Sequence, residues 1–305
     1  MRLRRALLLS SLVSLAGAAR AQQVRSLRDP LRLGVDPALH DSGLAPALQR
    51  GFGRDTGVAV KLVRVPALLA LQALERGELD AVLCNAPLEE AALVAQGFAH
   101  ERSAVALSEF VIVGPVKVAA TKPPALKAAP AKTAQGAGPN QKPKPGKPSA
   151  PAKPRDPAGL MGTSNAAQAL QRLGEASVGD DTIRFLSAHD GSGTHLAEQA
   201  LWRAAKLAPA TAWYRHAQAN AQAPNQLLAQ ARRDRAYALV ERGVWADQGG
   251  APLDVLIQGD PILRVPVHVM QGFRSKHGAA KLFTAWVTGP KGRSVVAAQR
   301  GYRLP

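Results

Sequence analysis

The chain has 305 residues and a formal net charge of +17, with 39 Lys+Arg against 22 Asp+Glu; 46% of residues are hydrophobic and only 4% aromatic. That length holds one large or two ordinary domains, with enough apolar side chains for a buried core. Cys84 is the only cysteine, which excludes a disulfide-stapled scaffold, a zinc ribbon and a thiolate-held iron–sulfur cluster.

The positive charge is unevenly spread. Met1-Arg2-Leu3-Arg4-Arg5 is followed by an apolar run over residues 6–16 and a small-x-small site at Ala19/Ala21. A basic start, an apolar stretch too short to span a bilayer and a cleavage site make a secretory signal. Residues 1–21 are therefore expected to direct Sec export, leaving a soluble periplasmic protein with no lipid anchor. Residues 116–157 hold eight Lys, one Arg, one Asp and ten of the 23 prolines, and no aromatic residue. That composition lacks the apolar surface to offset ordering entropy, so a disordered Lys/Pro/Ala-rich insertion is expected there. These two segments carry +4 and +8, leaving only +5 for the remainder. The body is mildly basic, and a nucleic-acid partner is not expected.

The body alternates strand and helix. Leu31, Leu33 and Val35 read as a strand; Asp41-Ser42-Gly43 offers an N-cap to a helix with Leu44, Leu48 and Phe52 on one face. Residues 58–65 form a second strand, and a helix over 67–76 stops at Gly77. Residues 79–84 form a third, nearly all-apolar strand, Pro87 opens a helix, and Phe110-Val111-Ile112-Val113 is a further strand. Beyond the insertion, helices are expected over 166–173, from 195 onward, over 225–232 and over 279–288. Strands are expected at 183–186, 237–240, 255–257 and 266–270. Such alternation predicts mostly parallel sheets flanked by helices.

The residues themselves are recognisable. Asp41-Ser42-Gly43-Leu44, Thr56-Gly57-Val58-x-Val60-Lys61, Gly77-x-Leu79-Asp80-Ala81-Val82-Leu83 and Phe110-Val111-Ile112-Val113-Gly114-Pro115 occur in order. Asp190-Gly191-Ser192-Gly193-Thr194-His195, Ala236-Tyr237-x-Leu239-x-x-Arg242-Gly243 and Gly259-Asp260-Pro261-x-Leu263 follow. Over residues 31–115 and 156–305 the chain resembles the substrate-binding protein of tungstate ABC transporters. The resemblance implies a two-lobed periplasmic-binding-protein-like α/β fold. Lobe I would comprise residues 22–113 and 263–305, lobe II residues 114–262, and the insertion would lie in lobe II. It also implies an oxyanion or other small molecule in the cleft and an inner-membrane ABC permease as partner. No cofactor is called for, and a monomer is expected.

A bound oxyanion needs convergent N–H and O–H donors, and a helix start supplies them. The candidate ligand-binding residues are Asp190, Ser192, Gly193, Thr194, Asn85 and Arg242, although Asp, Ser and Gly equally favour an ordinary capped helix start. Four stretches depart from the family pattern. Asp36-Pro37-Ala38-Leu39 replaces a run of hydroxyl residues, and Pro66-Ala67-Leu68-Leu69 replaces a polar turn. Ala188 stands where an arginine is expected, and Ala223-Pro224-Asn225 replaces a glycine-rich loop. These changes predict weak tungstate binding and a changed ligand.

No catalytic residue is expected. Ser192, His195 and Asp190 crowd one helix start and cannot form a nucleophile–base–orienter triad, and no Gly-x-Ser-x-Gly elbow accompanies them. The histidines lack i, i+4 metal-ligand spacing. Cys84 reads as an inert core thiol. The leading expectation is an exported, non-enzymatic solute receptor of an ABC importer. A degenerate solute-binding fold serving as an envelope scaffold or sensor subunit is the alternative.

Overall fold

The computed structural model describes residues 27–116, 156–209, 212–218 and 223–305. The expected signal peptide and the expected disordered insertion, apart from the insertion's ends, lie outside the described residues. Strands β1 (Leu31–Val35), β2 (Val60–Arg64) and β3 (Ala81–Cys84) run parallel in the order β2-β1-β3. Every residue of β3 is buried, as expected of a strand covered on both faces. β4 (Ala99–Pro115) is the long strand of the molecule. Its first part pairs with β9 (Arg264–Gly272) and β10 (Tyr302–Arg303), and its last part with β7 (Ala238–Glu241) and β8 (Leu253–Ile257). β5 (Phe185–Ser187) and β6 (Tyr214–His216) run parallel, and Phe185 bridges to Tyr237 beside β7.

The sheet is more mixed than the alternation predicts. β4 is antiparallel to each strand it pairs with, and β9 is antiparallel to β3 as well. One strand of 17 residues serves both halves, and the strands that return to it run in the opposite direction.

Two groups of apolar cores lie along β4. In the first half, α2 (Leu44–Thr56) buries Leu44, Leu48 and Phe52 as its spacing predicts. Phe52 meets Phe283 of α9 (Gly278–Thr288) edge-on at 5.1 Å. α3 (Ala67–Glu75) and α4 (Pro87–Ala95) cover the other face around Leu74, Val82 and Met270. In the second half, α5 (Ala166–Ser177) and α6 (Gly193–Ala204) pack around Phe110, Trp202 and Tyr237. α7 (Pro224–Asp234) packs with Val111 and Val240. Ala38, from the short helix α1 (Pro37–Asp41), inserts into this second-half core.

Some local expectations are corrected. α2 is entered through Gly43 at φ 86°, with no side-chain cap bond. Asp41 instead accepts both branches of Arg64 at 2.8 and 2.7 Å, and Ser42 pairs with the Tyr302 hydroxyl. At the insertion's far end, Asp156 is folded: it accepts from the N–H groups of Leu160 and Met161 and from the Tyr237 hydroxyl. α1, α8 (Arg242–Gln248), α10 (Pro290–Ala297), β6 and β10 were not legible in the sequence, because helices of five to eight residues show too little of the 3.6-residue spacing and β6 and β10 lie outside any apolar run.

Candidate functional site

The ends of β1, β2 and β3 from the first half face the ends of β5 and β7 from the second. A helix follows each of β1, β2, β3 and β5. Asp36 caps α1, Pro66 precedes α3, Ala86 precedes α4 and Ser192 caps α6. Four helix N-termini thus open on one cleft, where unpaired amides and the aligned peptide dipoles favour negative charge.

The group that occupies this position is a carboxylate of the chain itself. Asp36 is fully buried. Its Oδ1 accepts the Ala38 N–H at 3.1 Å and its Oδ2 accepts the Gly193 N–H, from the opposite half, at 2.8 Å. The start of α3 also approaches the carboxylate, where the Ala67 amide helps to hold its pKa down. Burial raises the Asp36 pKa to about 6 against the lowering pull of these amides, and the nearby Asp190 charge pushes the same way as burial. A backbone–backbone bond also joins the halves, from Leu68 N–H to Gly191 O at 3.1 Å.

The α6 loop is internally braced. Asp190 accepts the Ser192 N–H at 2.9 Å, and Ser192 Oγ accepts the His195 N–H at 3.3 Å. Gly193 lies against Asn85 so tightly that an added Cβ would fall on the Asn85 Oδ1. Both polar atoms of the Asn85 amide, and Thr194 Oγ1, are buried and find no hydrogen-bond partner among the described residues. Buried polar groups of this kind are expensive unless something completes them. Behind Thr194 a cavity of about 10 Å³ is lined by Ala188, Ser192, Pro224, Leu239 and Glu241. Glu241 is fully buried, accepts from Ser108 Oγ, and has its pKa pushed up to about 7 by burial.

Among the sequence candidates, Asn85, Ser192, Gly193 and Thr194 therefore come together, with Asp190 bracing their loop. Arg242 does not join them. It donates to Glu109 at 2.9 Å and to Gln258 at 2.8 Å, on the wall of a separate open cavity of about 520 Å³ with Arg264 and Arg303. His268 likewise lies outside the cleft, against Glu90 at 2.7 Å and Arg102 at 3.1 Å. Glu90 in turn accepts the Ala86 N–H at 2.8 Å, so this buried cluster holds the turn that presents Asn85.

The residue that sequence reasoning missed as a bridging group is Asp36. It was legible only as a carboxylate in place of expected hydroxyls. That it reaches Gly193, 157 positions away, required the fold.

An α/β fold in two halves, with a polar cleft formed by helix starts from both, defines the class of two-lobed solute-binding proteins. The chain belongs to the PBP (periplasmic-binding-protein-like) superfamily, whose domain model matches residues 21–291. It is 28% identical over 273 residues to the tungstate-binding protein TupA of Peptoclostridium acidaminophilum, covering 87% of this chain and 79% of that one. The solved structure of a tungstate ABC transporter protein from Geobacter sulfurreducens matches with a TM-score of 0.65 and 28% identity, over 88% of this chain and 98% of that one. TupA from Desulfovibrio alaskensis G20 shares the fold, with a TM-score of 0.61 at 23% identity over 91% and 99%.

Proposed function

We propose that the protein is an exported receptor that binds a small solute between its two halves and presents it to an inner-membrane ABC permease. The observation that carries this is the meeting of Asn85, from the first half, with Ser192, Gly193 and Thr194 at the start of α6, from the second. The buried, uncompleted polar atoms of Asn85 and Thr194 lie where a hinge motion would open and close the cleft. Binding energy would shift the balance between open and closed arrangements of the cleft, and the liganded arrangement would mark the loaded receptor for its permease. Turnover of the solute is not needed for this role. The similar proteins are named as binding proteins, which supports the reading, and no helix among the described residues is long and apolar enough to cross a membrane.

The test is a thermal-shift panel on the purified chain lacking residues 1–21, with oxyanions, amino acids, polyols and small organic acids. A solute present at about 100 times its dissociation constant stabilises the native state by about 2.7 kcal/mol. For halves of this size that is a rise of roughly 5–10 °C in melting temperature. At least one solute class should give such a rise, and Thr194→Val together with Asn85→Ala should abolish it. A panel in which no compound shifts the melting point would overturn the receptor reading.

A further inference from the structure

We infer that Asp36 is an internal counterpart of an anionic ligand: its carboxylate holds the two halves together and makes the cleft reject acceptor-only oxyanions in favour of solutes that present N–H or O–H donors. The inference rests on reading the cleft as the solute site, and it names the class of solute.

The bland explanation of Asp36 is a helix cap, since Asp is favoured at that position. Capping accounts for Oδ1, which takes the Ala38 amide two residues on. It does not account for Oδ2, which takes the amide of Gly193 from the other half, nor for the approach of the α3 start at Ala67. Amides from the first turns of two helices, α1 and α6, are donors of the kind an oxyanion would need. They are spent on a side chain.

Charge and volume argue the same way. Asp190 and Glu241 lie within electrostatic reach of Asp36, so an incoming dianion meets carboxylates on both sides of the cleft. Arg64, whose charge reaches both Asp36 and Asp190, is engaged by Asp41 through two of its nitrogens, Nε and Nη2. The cavity behind Thr194, at about 10 Å³, has room for one water molecule at most. A tetrahedral oxyanion offers only acceptors and would have to expel Asp36 while competing for its amides. A solute carrying an ammonium, amide or hydroxyl group instead gives Asp36 new donors as the halves part. Such a solute also completes the Asn85 and Thr194 oxygens.

Two measurements test this. In the first, small-angle scattering follows the unliganded protein lacking residues 1–21. The compact, closed profile is expected without ligand and unchanged by 1 mM tungstate; an open profile without ligand overturns the inference, and so does compaction on adding tungstate. In the second, tungstate is titrated calorimetrically into the unsubstituted protein and into Asp36→Ser, which retains a side-chain cap for α1 and frees the amide of Gly193. Affinity should rise by roughly two powers of ten or more, the equivalent of one or two charge-assisted hydrogen bonds regained. Equal affinity in folded Asp36→Ser and the unsubstituted protein overturns the inference, as does submicromolar binding by the unsubstituted protein. If Asp36→Ser gains tungstate while the unsubstituted protein responds to no solute in the thermal-shift panel, the role of Asp36 stands and the receptor reading falls.

Discussion

Gly193 shows how closely the two halves approach. Its amide donates to Asp36 and its α-carbon faces Asn85, with no space for a side chain between. Gly193→Ala should therefore push α6 away from the first half, at about 1–3 kcal/mol, the usual range for overpacking. Urea unfolding measures it, with Gly179→Ala as the control: a Cβ there meets nothing within 4 Å. A Gly193→Ala protein as stable as its parent would mean that the halves do not close as described. The glycine was legible in the Asp190–Thr194 motif as a residue that permits close backbone approach. Its neighbour was not, because Asn85 is more than a hundred positions away and no periodicity links them.

At the scale of elements, Asp156 fixes where the chain re-enters the fold. Its two oxygens take the Leu160 and Met161 amides at 3.0 and 2.8 Å and the Tyr237 hydroxyl at 3.0 Å, and Tyr237 also accepts the Ala158 N–H. Asp156 and Tyr237 are both buried. Removing a buried acceptor strands its donors at a cost of about 1–3 kcal/mol. Asp156→Ala should lower stability by roughly that amount, with Asp156→Asn losing less; thermal unfolding distinguishes them. Composition alone assigns this residue to the Lys/Pro/Ala-rich segment, since it follows Lys153-Pro154-Arg155 without a break. Long helices such as α2 were legible from their apolar spacing, whereas α1, which carries Asp36 into the cleft, spans five residues and has no spacing to read.

For the whole molecule, the buried carboxylates set the response to pH. Burial raises Asp36 to about 6, and Glu198 and Glu241 to about 7 each. Such groups hold protons in the folded chain that the unfolded chain has already released. Their contribution is fully present below the unfolded values near 4 and is lost as pH rises through 6 to 7. For Asp36 alone the change is on the order of 3 kcal/mol. The opposite limb comes from groups such as Asp80. Burial would raise its pKa, but hydrogen bonds from Arg32 and Ser275 and the Arg32 charge outweigh that, and the value falls. Its contribution is lost as pH drops below the ordinary carboxylate range. The melting temperature should therefore peak at mildly acid pH, between about 4.5 and 6, and fall by several degrees toward pH 8. Calorimetry over pH 4–8 checks the sign; a maximum at pH 8 would contradict the burial of these groups. Asp36→Ser should flatten part of the alkaline slope.

The sequence by itself determined the strand–helix alternation, the main helix faces, the candidate α6 loop and the loss of expected donors at four stretches. Those properties are local: they depend on residue type and on spacing within a dozen positions. Tertiary structure alone decided that β4 runs antiparallel through both halves, that Arg242 stands apart from the cleft, and that Asp36 takes an amide from each half. Each depends on which strand ends meet across the cleft, and hydrogen-bond partners as far as 157 positions apart leave no periodic trace in the chain.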